Sequence, residues 1–182
     1  MNYTSFFENY NQSIFNLLKN IDSNTFNLSL KLIQNVKKNN KKIYLAGNGA
    51  SSSIADHISV DFLKAAKISS MTFNNSNLIT CFSNDYGYDN WIKESIKSFY
   101  QNGDLIILIS SSGKSKNIIN AGKYCKDKQI NLITLSGFSS KNPLKKLGNA
   151  NFYIKSNKYN HIEIAHHIIL VSIVDYFTKK LS

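Results

Sequence analysis

Three groups of residues in this chain have the types and spacing for chemistry. The first is Ser110-Ser111-Ser112-Gly113-Lys114-Ser115, directly after the apolar run Ile106-Ile107-Leu108-Ile109. A strand that turns through such a loop into a helix aims amides, hydroxyls and the positive end of a helix dipole at one spot, which suits a phosphate. The second group is Ser53, His57 and Asp61 at four-residue intervals, so His57 and Asp61 share a helical stripe and can form an acid–base pair or co-ligate a metal. The third is Glu163, His166 and His167, where i,i+3 and i,i+4 spacing presents a carboxylate and an imidazole together. Each has a plainer reading: a polar turn with an N-cap, a solvent-facing histidine–carboxylate pair, and histidines that only pack.

Composition narrows the partners. All 22 basic residues are lysine, so an anion would be held by serine hydroxyls, amides and Lys114 without bidentate guanidinium clamps. A net charge of +11 attracts polyanions. Yet Lys37-Lys38-Asn39-Asn40-Lys41-Lys42 falls between elements, Lys145-Lys146 and Lys179-Lys180 fall near helix ends, and no nucleic-acid motif accompanies them. A small phosphorylated molecule fits this field better than nucleic acid. No glycine precedes Gly113 at P-loop spacing, and no nucleotide cofactor is expected. Cys81 and Cys125 suggest neither a disulfide framework nor a cysteine zinc site. With 182 residues, 42% of them hydrophobic, a single domain is expected over 1–182. No run approaches membrane-spanning length and no signal-peptide core follows the N-terminus, so a soluble, cytoplasmic protein is expected.

The elements that must position these groups can be read in order. Tyr3, Phe7, Tyr10, Ile14, Leu17 and Ile21 form a helical seam, and a second helix starts near Ser23 with Phe26, Leu30 and Ile33 on one face. This N-terminal hairpin, at about 1–40, packs either on the domain core or against other subunits. Ile43-Tyr44-Leu45-Ala46 reads as a buried strand ending in Gly47-Asn48-Gly49-Ala50-Ser51, a second glycine- and serine-bearing junction. A helix over 52–66, a strand at 71–73, a short helix at 77–82, a polar loop at 83–90 and a helix at 91–100 follow. After the serine loop come a covering helix with Ile118, Ile119, Ala121 and Tyr124, a strand at 130–135, a short helix at Pro143, a strand at 152–154 and a final helix at 159–178. Such alternation predicts an α/β fold, a doubly wound, mainly parallel five-stranded sheet flanked by helices, with ligands at the carboxyl ends of the strands.

Three motifs in this order, Gly47-Asn48-Gly49-Ala50-Ser51, Asn84-Asp85-Tyr86-Gly87-Tyr88 and Ile109 to Ser115, resemble those of the sugar isomerase (SIS) domain family, and within it the phosphoheptose (sedoheptulose 7-phosphate) isomerases. The resemblance covers nearly the whole chain. It implies one SIS domain over 1–182, a homotetramer with active sites between subunits, and phosphate held by the serine loop. Substrate contacts are implied at Asn48, Gly49, Ala50, Asn84, Asp85, Ser110, Ser111, Ser112 and Ser115. The family places a histidine and a glutamate four residues apart on the helix after the first loop, where this chain has His57 and Asp61. It also places a glutamine and, eight residues later, a histidine on the last helix. Aligned on Glu163, those positions are Ile162 and Leu170, which neither move a proton nor bind zinc. His166, one turn away on the same stripe, is the expected substitute, and His167 the next.

The implied reaction is aldose–ketose isomerisation, sedoheptulose 7-phosphate to glycero-manno-heptose 7-phosphate, feeding heptose into lipopolysaccharide or another surface polysaccharide. Moving a proton between C1 and C2 through an enediol(ate) needs a base, an acid and stabilisation of the developing oxyanion. Asp61 is the expected base and His166 the expected acid. A zinc ion, one per subunit, would be held by His57, Asp61 and His166, with Glu163 as a further ligand. Two alternatives stand beside this reading: an isomerase of another phosphosugar, and a non-catalytic SIS-domain protein that associates with a replication initiator.

Overall fold

The computed structural model describes residues 2–178. Its elements are α1 (Tyr3–Leu18), α2 (Ser23–Lys38), β1 (Ile43–Ala46), α3 (Ala50–Lys64), β2 (Ser70–Thr72), α4 (Ser76–Tyr86), α5 (Trp91–Phe99), β3 (Leu105–Ser110), α6 (Lys116–Asp127), β4 (Asn131–Ser136), β5 (Ala150–Tyr153) and α7 (Tyr159–Thr178), with a single 3-10 turn at Leu144–Lys146 after Pro143. The five strands form one all-parallel sheet in the order β2-β1-β3-β4-β5. Central β3 is buried at all six positions, as a parallel strand covered on both faces requires. Its side chains alternate: Leu105, Ile107 and Ile109 join a core with α2, α3 and α7, while Ile106 and Leu108 join a core with α5 and α6.

Strand order reverses between β1 and β3, and at such a switch point the loops leaving the two strands diverge to opposite faces and open a crevice. Both motif loops, Gly47 to Gly49 and Ser111 to Ser115, leave the sheet there. The hairpin straddles two partners. Tyr10 of α1 sets its ring edge-on to His161 of α7 at 4.9 Å, and Phe26 of α2 meets Phe152 of β5 at 6.4 Å. Only part of the α1 seam is covered: Ile14 is buried, whereas Tyr3 and Phe7 are 86% and 65% exposed.

Several boundaries differ from expectation for local reasons. Helix α4 runs to Tyr86, past the expected end at Phe82, so Asn84 and Asp85 lie in its last turn and not in a loop. Asn75 caps its start by accepting from the amides of Asn77 and Leu78, and Gly87, at φ 78°, lets the chain leave. Helix α3 starts two residues early because Gly49, at φ 55°, makes the turn into it. Strand β2 sits one residue earlier than expected, and β3 extends by one residue to include Ser110. No described helix is long and apolar enough to cross a membrane.

Candidate active site

The serine loop is built around two conformational constraints. Gly113 takes φ 62°, and a Cβ there would collide with the side-chain amide of Asn142. Asn142 is itself buried and donates to the carbonyls of Gly137 and Ser139 at 3.1 and 2.8 Å, holding the loop from behind. The four hydroxyls then divide. Ser110 and Ser115 face each other with Oγ atoms 3.2 Å apart. Ser112 Oγ accepts from the amide of Lys114 at 3.2 Å, while Ser111 Oγ donates to Glu163 Oε1 of α7 at 3.2 Å. Ser115 is the N-cap of α6 but makes no side-chain cap bond, and first-turn amides of a helix lack intrahelical acceptors. Hydroxyls, amides and a helix dipole therefore meet at this point, as an anion site requires.

The loop after β1 is tied to this one. Asn48 and Asn117, the second residue of α6, exchange side-chain amide bonds, each 3.0 Å, and Tyr88 OH donates to Asn48 Oδ1 at 3.2 Å. Asn117 is buried, so the pair clamps the two loops across the switch point. Gly47 is required beneath them, since a Cβ there would stand 2.5 Å from the backbone of Ser51.

Helix α3 meets α7 alongside. His57 Nδ1 lies 2.7 Å from His167 Nε2, with the rings edge to face at 84°, and His57 Nε2 lies 3.2 Å from Asp61 Oδ2. Desolvation lowers the pKa of His167, the neighbouring His57 lowers it further, and Asp61 opposes both. Glu163 and His167 are one turn apart on α7, so the serine loop, Glu163, His167, His57 and Asp61 form one contiguous string of polar groups.

Comparison with known proteins follows the same lines. A family profile described as SIS domain matches residues 6–137. The chain belongs to the SIS domain family. It is 40% identical over 121 residues to phosphoheptose isomerase 2 of Campylobacter jejuni, a match covering 62% of this chain and 59% of that protein. It is 32% identical over 157 residues to the phosphoheptose isomerase of Sulfurimonas denitrificans, covering 83% and 80%. The phosphoheptose isomerase structure from Francisella tularensis superposes with a TM-score of 0.86 at 22% identity, covering 99% of this chain and all of that one; the one from Neisseria gonorrhoeae gives 0.85 at 20%, covering 96% of each.

Within this SIS domain, several anticipated site residues sit elsewhere than expected. His166 lies fully buried beneath α7, its Nε2 3.3 Å from the carbonyl of Ser136 and its Nδ1 without a partner among the described residues. Desolvation pushes its pKa down to about 4, against a partial rise from the Ser136 contact. The reason is angular: one residue along a helix is about 100° of rotation, so His166 faces the core and His167 faces α3. Ile162 and Leu170 are fully buried too, Ile162 packing where a Cβ on Gly137 would stand. Glu163 and Val171, at the same eight-residue spacing, are half-buried. Asn84 and Asp85 are exposed on α4, where Asn84 donates to Asp85 at 2.9 Å; their side chains make no hydrogen bond to either loop among the described residues. Asn117, Asn142 and Tyr88 went unread as site residues, although Asn-Pro at 142–143 is a turn signal and Asn117 follows the serine motif by two residues.

Of the anticipated zinc ligands, His57 and Asp61 stand side by side and His166 turns away into the core. Zinc gathers nitrogen and oxygen donors at about 2.0–2.2 Å around one point. His57 Nε2 and Asp61 Oδ2, 3.2 Å apart, have the separation of two donors on one such ion, while His57 Nδ1 meets His167 at 2.7 Å. His166 turns to Ser136, and Glu163 accepts from Ser111. Among the described residues, no three His, Cys, Asp or Glu side chains are grouped to hold a metal ion.

Proposed function

We propose that this chain is a sugar-phosphate isomerase that interconverts sedoheptulose 7-phosphate and glycero-manno-heptose 7-phosphate in the cytoplasm, supplying heptose for lipopolysaccharide or a related surface polysaccharide. The observation that carries the reading is the Ser111–Glu163 hydrogen bond, which joins an anion-binding loop to a helix whose next turn bears His167 against His57 and Asp61. The phosphate docks on Ser110, Ser112 and Ser115 with the first amides of α6. The sugar then lies along Gly49, Ala50 and the α7 stripe. The group that moves the proton between C1 and C2 comes from the α3–α7 cluster, because His166, sealed in the core, reaches no substrate. The names of the two relatives support the sugar, and the non-catalytic alternative is not favoured.

Assembly belongs to the same proposal. Tyr3, Phe6 and Phe7 on α1, Val60 and Leu63 on α3, and Ile164 and Ile168 on α7 are exposed apolar side chains on three helices. Such faces are covered by further copies in a homotetramer, which would bring Asn84 and Asp85 of one subunit toward the site of another. The test is to incubate the protein with sedoheptulose 7-phosphate and follow the aldose phosphate by NMR. Product formation at the protein's own rate is the expected result; binding of the sugar without conversion refutes the activity.

A further inference from the structure

We propose that the end of the molecule opposite the motif loops is a docking surface for the head groups of an anionic lipid bilayer. In a parallel sheet every helix-to-strand turn falls at the amino ends of the strands, so residues far apart in sequence collect at one pole. There Lys37, Lys38, Lys41 and Lys42 precede β1, Lys64 and Lys67 precede β2, and Lys126 and Lys128 precede β4. These eight lysines share that end with two acidic residues, Asp104 and Asp127, and so carry more than half of the net charge of +11. The charge is not neutralised internally. Among the described residues none of the eight makes an ion pair, whereas Lys93, Lys97 and Lys116 elsewhere do. Buried Asp104 engages both carboxylate oxygens with the backbone amides of Lys42 and Gln101, at 2.9 and 2.8 Å. Lys37 Nζ donates to the carbonyl of Ala66 at 2.9 Å and the stem of Lys41 lies over Gly103, which ties adjacent turns together; the other six lysines are exposed.

The form of this pole favours a bilayer over a nucleic acid. Strands β2, β1, β3 and β4 lie side by side, so the lysine-bearing turns span about 14 Å across the sheet at about 4.8 Å per strand. Helices α2 and α3 cover one face and α6 the other, which sets lysines on both sides of the strand ends as a broad array and not along one groove. The chain has no arginine to fork onto a nucleic-acid phosphate. Phe99, 39% exposed at the end of α5, is an apolar side chain of the kind that enters a bilayer interface. Lysines near an anionic surface act together without fixed geometry, each raising affinity about fivefold. The motif loops, at the carboxyl ends of the strands, then face away from the membrane and the site stays open to solvent.

The test is co-sedimentation of the full chain with vesicles of mixed phosphatidylglycerol and phosphatidylcholine, beside vesicles of phosphatidylcholine alone. Expected is binding to the anionic vesicles only, lost in about 0.5 M salt, where screening shortens the reach of each charge to a few ångströms. The Lys38→Glu/Lys42→Glu/Lys67→Glu/Lys128→Glu variant should bind about a hundredfold more weakly. The same four positions changed to glutamine, a milder set that keeps the test valid should the reversal unfold the chain, should bind about tenfold more weakly. A control with the same change in net charge, Lys19→Glu/Lys31→Glu/Lys141→Glu/Lys155→Glu, should bind nearly as the wild type does, because those lysines lie off the pole. Turnover of sugar phosphate without vesicles should be alike in the wild type and the glutamine variant. Equal losses in the pole and control variants overturn the proposal, since net charge alone then accounts for the binding. So does a wild type that stays in the supernatant, or one that binds single-stranded RNA or duplex DNA and no vesicle. None of these outcomes touches the isomerase reading, which fails only if the wild type leaves sedoheptulose 7-phosphate unconverted.

Discussion

Replacing His166 with leucine separates a buried structural imidazole from a catalytic one. In the folded chain its pKa is held at about 4 by desolvation, against 6.5 for an exposed ring. The folded state therefore binds fewer protons than the unfolded state below pH 6.5, so stability is intact above that value and is lost as pH falls toward 4. At about 1.4 kcal/mol per pH unit the interval amounts to roughly 3 kcal/mol in full, of which about 2 kcal/mol is already lost at pH 5. Leucine has nothing to titrate. Urea unfolding at one protein concentration, monitored by circular dichroism at pH 7.5 and pH 5, measures the wild-type-minus-variant difference at each pH. That difference should move by about 2 kcal/mol in favour of His166→Leu on acidification, because His161 and His167 titrate in both proteins and cancel. Turnover by the variant at pH 7.5 should stay near wild type. A difference independent of pH, or a loss of activity on the scale of a missing general acid, would refute the burial argument.

Other substitutions report on the loops. Gly113→Ala meets both a left-handed backbone and the Asn142 amide, and should destabilise the fold by about 2 kcal/mol or more in thermal unfolding. Asn117→Ala leaves Asn48 facing an empty partner at a buried position and should cost about 1–3 kcal/mol by the same measurement, with a raised KM for the sugar phosphate. The Ser110→Ala/Ser115→Ala pair should weaken inorganic phosphate binding by calorimetry at least tenfold while leaving unfolding nearly unchanged. Equal phosphate affinity in that variant would remove the anion site from this loop.

Much of this was legible along the chain, and the pattern of successes is physical. Buried parallel strands are short apolar runs, so Ile43 to Ala46 and the run ending at Ser110 stood out, and the final helix over 159–178 was visible from its length alone. The serine loop was legible because its chemistry is local: amides and hydroxyls of consecutive residues converge by backbone geometry. Spacing also placed His57 with Asp61, since four residues on one helix are neighbours in any fold. It failed between His166 and His167, because periodicity alone does not say which face of an almost wholly apolar helix the sheet will cover.

The sequence by itself determined the α/β alternation, the two loops at the carboxyl ends of β1 and β3, and the residue types able to hold a phosphate and move a proton. Only the tertiary structure decided which of them meet: Ser111 with Glu163, Asn48 with Asn117, and His57 with His167 across 110 positions of chain. Contacts within a turn follow from backbone geometry. Contacts between helices depend on how each one rolls to bury its largest apolar face, and that rotation is set by the whole core at once.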